Sequence, residues 1–150
     1  MAEACTCFLL RKLTRQVTQT YDRAVGPAGL TITQYSLLQN LRREPGISLS
    51  ALAARMGMER TSLLRTLKPV LAAGWARNAE RGAGRPAELE ITEKGVERLR
   101  VAKPMWHKAQ EQMRNSLGDA QLGRLQASLR SALDTLHEKQ TLGEKAEKAA

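Results

Sequence analysis

Between Leu49 and Leu71 the apolar residues fall twice into helical spacing, and a single glycine separates the two runs. Leu49, Leu52, Ala53 and Met56 form an i, i+3, i+4, i+7 stripe; Leu63, Leu64, Leu67, Val70 and Leu71 form the next. Gly57 lies where a helix C-terminus favours a left-handed residue. Ser48 can cap the first of these helices, Glu59 or Thr61 starts the second, and Gly74 closes it. Two short amphipathic helices joined so tightly are what a helix-turn-helix requires.

The next segment changes period. Trp75 to Ala79 and Ala87 to Ile91 read as strands, and Leu89 and Ile91 alternate with Glu88 and Glu90. Glu80-Arg81-Gly82-Ala83-Gly84-Arg85-Pro86 between them is a basic loop whose glycines permit a tight bend. Helix, turn, helix and hairpin in this order make a winged helix-turn-helix over 31–91, a module that sets one helix in the DNA major groove.

The flanks are helical. Leu9, Leu10, Leu13, Val17, Tyr21 and Val25 place a helix over 5–25, ended by Gly26, Pro27 and Gly29. A second runs from about Thr33 to Arg43, capped by Thr31 or Thr33, with Tyr35, Leu38 and Leu41 inward. Thr92 caps a long helix to about Leu117, with a kink expected at Pro104. The last helix, Asp119 to Lys139, carries Leu122, Leu125, Leu129, Leu133 and Leu136 in one stripe. Too little chain remains to cover it, so the stripe calls for a partner helix or for packing within the chain. The fold class expected is mainly α with a small β-hairpin, in one domain of 150 residues with a disordered tail at 141–150.

Charge supports a polyanionic partner. The net charge is +9, and Ala53 to Pro86 holds seven basic residues against two acids. In the first two turns of the second central helix, Arg60, Thr61, Ser62 and Arg65 are not needed for the core. Arginine can read guanine bidentately, and threonine or serine can meet base edges or phosphates. Lys68 follows on the same helix, and Pro69 concentrates contact before it. Arg81 and Arg85 flank the wing tip, where a guanidinium can enter the minor groove.

These residues resemble those of MarR-type transcription regulators over nearly the whole chain. The matching pieces are TQYSLLQNL, LSALAARMGMERTSLLRTLKPVLAAGW and LEITEKG. The resemblance implies a homodimer built through helices within 1–26 and 92–140, a palindromic double-stranded operator, and an effector that weakens DNA binding. It places Thr61, Ser62 and Arg65 at recognition-helix positions and Arg85 at the wing-tip arginine. The segment RGAGRP departs from family wings, which carry an acidic residue and several arginines near the tip.

A narrower resemblance, to the peroxide-sensing OhrR branch, rests on CFLL, Tyr21 and TITQY. It implies that Cys7 is a reactive cysteine bonded by Tyr21 across the dimer. Ile32 stands where that branch has a second tyrosine, and Arg11 where it has a further one. From the residues alone, a thiol beside Arg11 and Lys12 near a helix N-terminus is placed for oxidation. Cys5 and Cys7, two apart on a helix, do not face each other, so an intersubunit disulfide is geometrically easier than an intrachain one. The alternatives are an inert pair of cysteines or a soft-metal site shared across a dimer. With only two distant histidines, no zinc site forms in one chain, and no cofactor is expected.

Tyr21, Tyr35, Trp106 and His107 could wall an effector pocket, or simply pack in the core. No apolar run approaches the roughly 20 residues of a membrane span. The N-terminus lacks the basic region of a signal peptide, so a cytoplasmic, membrane-free protein is expected. Gly82-Ala83-Gly84 lacks the setting and the lysine of a phosphate loop, and no nucleophile–base pair is evident, so no enzyme is expected. The competing function is a winged-helix protein-interaction module without DNA binding, which would want an apolar or acidic face where Arg60 and Arg65 stand.

Overall fold

The structure, a computed structural model, describes residues 5–79 and 88–149, with side chains to residue 139. The elements in chain order are α1 (Thr6–Val25), a 3₁₀ turn (Gly26–Ala28), α2 (Ile32–Arg43), β1 (Ile47–Ser48) and α3 (Leu49–Met56). They continue with α4 (Arg60–Ala72), β2 (Ala76–Ala79), β3 (Glu88–Ile91), α5 (Glu93–Leu117) and α6 (Asp119–Ala149). The chain divides into two compact units, Met1–Ala109 and Gln110–Ala150.

In the first unit, local chemistry fixes the helix ends. Thr31 and Gln34 form a reciprocal capping box at the start of α2. Asp22 of α1 accepts the Ile32 N–H at 2.7 Å, satisfying another donor of that end. Ser48 Oγ accepts the Ala51 N–H at 3.2 Å and caps α3, while Gly57 ends it at φ 62°. The core is built around Leu37, Leu38, Leu41, Leu52, Leu63 and Val70, each fully buried. Burial of each leucine contributes about 1.5–3 kcal/mol.

The sheet has three antiparallel strands in the order β1-β3-β2, where the sequence suggested a two-stranded hairpin. Ile47 pairs with Leu89 and Ser48 with Glu88. A strand of two residues offers no alternation to read, which is why β1 escaped the pattern. The β2–β3 register sets Ala76 opposite Ile91 and Arg77 opposite Glu90.

Two expected apolar stripes differ in the structure. On α1 only Val25 is buried, and Phe8, Leu9 and Leu10 are exposed. On α4, Leu63, Leu67 and Val70 enter the core but Leu64 is 45% exposed. Leu64 sits about 100° round the helix from Leu63, at the edge of the face that Leu63, Leu67 and Val70 bury.

The second unit holds the end of α5 and all of α6. Arg114 pairs with Asp119 across the Gly118 turn at 3.0 Å. Leu129, Leu133 and Leu136 of α6 are exposed. The α6 backbone continues to Ala149. The reason is compositional: GEKAEKAA is rich in alanine, lysine and glutamate, all strong helix formers.

Candidate nucleic-acid interface

Helix α4 carries the candidate contact set on the side its core residues leave free. Leu63, Leu67 and Val70 turn inward, and Arg60, Thr61, Ser62, Arg65 and Lys68 are all exposed. Leu63 N–H donates to the Glu59 carbonyl, so the helix is closed from its first turn. Among the described residues, Arg60, Arg65 and Lys68 have no hydrogen-bond or ion-pair partner. Their positive ends are therefore available to an outside anion. Pro69 lies inside the helix, which runs on to Ala72. Arg81 and Arg85 lie outside the described residues.

Two other arginines of the basic segment are already engaged. Arg55 pairs with Glu44, a residue of the preceding loop. Arg77 pairs with Glu90 at 3.2 Å, directly across the β2–β3 ladder. Both acids lie outside the Ala53–Pro86 window in which the basic excess was counted, so the charge free for DNA sits more narrowly on α4.

The wing is anchored where it meets α5. Thr92 Oγ1 donates to the Gly74 carbonyl at 2.6 Å and accepts the Gly95 N–H at 3.1 Å, so one hydroxyl caps α5 and holds the end of the α4 corner. Gly95 is packed against the Trp75 carbonyl with no room for a side chain. One turn on, Arg98 places its guanidinium 5.2 Å from the centre of the Trp75 ring and donates to the Ala28 carbonyl at 2.9 Å. Sequence reading missed Gly95 and Arg98. Their partners are distant in sequence, and no periodicity marks them.

The effector-pocket residues separate. Tyr35 and Trp106 stack at 5.9 Å and 16°, and His107 meets the Trp106 ring edge at 5.1 Å. All three line a cavity of about 340 Å³ between α2 and α5, together with Gln39, Arg42, Arg43 and Lys103. Gln39 donates to the Tyr35 hydroxyl at 2.9 Å. Tyr21 is not among the walls: the cavity opens between α2 and α5, and α1 contributes nothing to it. Burial raises the Tyr21 phenol above its ordinary pKa of 10.0.

Cys5 and Cys7 are both free and exposed at the start of α1. Cys5 occupies the N-cap position and Cys7 the first turn. Tyr21 lies fourteen residues beyond Cys7 on the same helix, about 21 Å along its axis at 1.5 Å per residue, so the two do not meet within one chain. No group of three metal-ligating side chains occurs among the described residues. No helix there is long and apolar enough to cross a membrane.

Comparison with known proteins gives this geometry a setting. A sequence profile of the MarR family matches residues 30–77, from the approach to α2 into β2. Among solved structures, the M. tuberculosis transcriptional regulator MosR is 36% identical, with a TM-score of 0.75, over 90% of this chain and 99% of that one. A second MosR structure, in complex with DNA, matches at 36% identity and a TM-score of 0.75 over 89% of this chain and 98% of that one. The transcriptional repressor CouR bound to p-coumaroyl-CoA shares the fold, with a TM-score of 0.78 at 22% identity over 86% of this chain and 91% of that one. No match was found among curated protein sequences. With a relative this similar along nearly its full length, and with the helix-turn-helix itself matching the family profile, the chain belongs to the MarR family.

Proposed function

We propose that the protein is a dimeric, sequence-specific DNA-binding repressor with no catalytic role, acting in the cytoplasm. The observation that carries this reading is the outer face of α4, where Arg60, Thr61, Ser62, Arg65 and Lys68 are exposed and the three cations are unpaired among the described residues. The competing protein-interaction reading would want an apolar or acidic face where these cations stand. The solved complex of MosR with DNA, a relative of 36% identity, supports the same partner. The operator is a palindrome read by two α4 helices, with Arg81 and Arg85 contributing from the wing. Two copies join through α1 and α6, whose apolar faces are exposed in the single chain.

A small-molecule ligand in the cavity lined by Tyr35, Trp106 and His107, or oxidation of Cys7, lowers DNA affinity in this reading. The exposure of both thiols supports access of an oxidant, and Tyr21 meets Cys7 only from the partner copy. The deciding experiment is a gel-shift titration on a duplex selected by the protein from a random pool. Arg65→Ala costs about 1–3 kcal/mol of binding and relaxes specificity at one position, and Lys68→Ala lowers the salt slope by about 1. Unchanged binding in both variants would reject the contact assignment. Peroxide weakens binding by the wild type but not by Cys7→Ser if the thiol is the sensor; equal peroxide sensitivity removes that arm and leaves the ligand cavity.

A further inference from the structure

One residue of the α4 face does not fit a purely polar contact surface. Leu64 is 45% exposed, while its neighbour Leu63 is fully buried and Leu67 nearly so. It stands four residues from both Arg60 and Lys68 and three from Thr61, so on the helix surface it touches the same stripe. Helical leucine side chains lean toward the helix N-terminus. Leu64 therefore covers the turn that holds Arg60 and Thr61, the end of a recognition helix that enters the groove. The surrounding cations select a polyanion as the occupant of this face. On the base edges of the major groove the one apolar group is the 5-methyl of thymine.

We propose that Leu64 is a specificity-determining residue that reads a thymine methyl in each half-site of the operator. The inference rests on the DNA-binding reading above and adds what that reading leaves open, namely one base the operator must contain. Burying the methyl against the leucine removes apolar surface of both from water. No hydrogen bond is made or lost, so the contact discriminates thymine from uracil, which presents the same polar edge.

The test uses the full chain and duplexes it selects from a random-sequence pool. Each thymine in turn is replaced by deoxyuridine, which deletes one methyl and nothing else. At one position per half-site the wild type loses about fourfold in affinity, the value of one buried carbon. Leu64→Ala binds the thymine and uracil duplexes equally, while its salt dependence is unchanged because no phosphate contact is touched. Leu64→Met, which restores an apolar side chain of similar length, recovers part of the discrimination. Because nearly half of the side chain is already in solvent, the variants fold, and far-UV circular dichroism checks this. A selected duplex with no uracil-sensitive position, or a Leu64→Ala protein that keeps the sensitivity, overturns the inference while leaving DNA binding intact. A pool that shows no enrichment overturns the DNA-binding reading and this inference with it.

Discussion

A Cβ built on Gly95 comes within 2.1 Å of the Trp75 carbonyl oxygen and 2.7 Å of Ile91 Cγ1. The first of these is backbone and cannot swing away. Gly95→Ala therefore pushes α5 off the root of the wing, at a cost of about 3 kcal/mol. In a thermal melt this lowers Tm by roughly 10 °C. Tyr21 makes a different prediction at the same scale. Its phenol is partly desolvated and its folded pKa lies above 10.0. The resulting stabilisation is complete below pH 10 and is lost as pH rises through the folded value. An ultraviolet titration of the folded protein, whose two tyrosines are Tyr21 and Tyr35, shows a phenolate band above pH 10 that Tyr21→Phe lowers. Leu64 illustrates how residues mislead in sequence. Its spacing from Leu67 and Leu71 is helical and apolar, yet the face those leucines occupy was already full, and only packing decides which residue is left out.

At the scale of elements the sequence was most legible where backbone chemistry is local. Ser48, Gly57 and Thr92 are read correctly because a cap or a left-handed turn needs only its own neighbours. Ser48→Ala should then cost about 1 kcal/mol, seen as a lower denaturant midpoint with unchanged slope. β1 was not legible, because its existence depends on Leu89 and Glu88 supplying the ladder from forty residues away. The charge of the wing was half legible. Counting basic residues located the right segment, but Arg55 and Arg77 are held by Glu44 and Glu90, and only the fold reveals those pairings.

For the whole molecule, the apolar residues left in solvent are concentrated at Phe8, Leu9 and Leu10 of α1 and at Leu129, Leu133 and Leu136 of α6. The periodicity announced the α6 stripe and put Leu9 and Leu10, though not Phe8, in a stripe on α1, but a sequence cannot say whether a stripe is covered by its own chain. Leu133 is 67% exposed and Leu136 60%. Replacing both with glutamine should leave the first unit folded. In sedimentation velocity the variant runs as a monomer, and its affinity for a palindrome falls toward that for a single half-site. A variant that remains dimeric would move the interface to α1 alone.

Arg98 binds the Ala28 carbonyl and the Trp75 ring with a single side chain, and so joins the corner after α1 to the root of the wing. Such a junction has a consequence in time as well as in space. Neither the corner nor the wing root can open alone without breaking the other's contact, so they should open as one cooperative unit. The amides of Gly29, Trp75 and Thr92, which donate to the carbonyls of Gly26, Val70 and Trp75, should therefore exchange with solvent deuterium at a common opening free energy. In Arg98→Met the three should separate, with Gly29 becoming the fastest to exchange. The corner that follows α1 and the wing would then fluctuate independently.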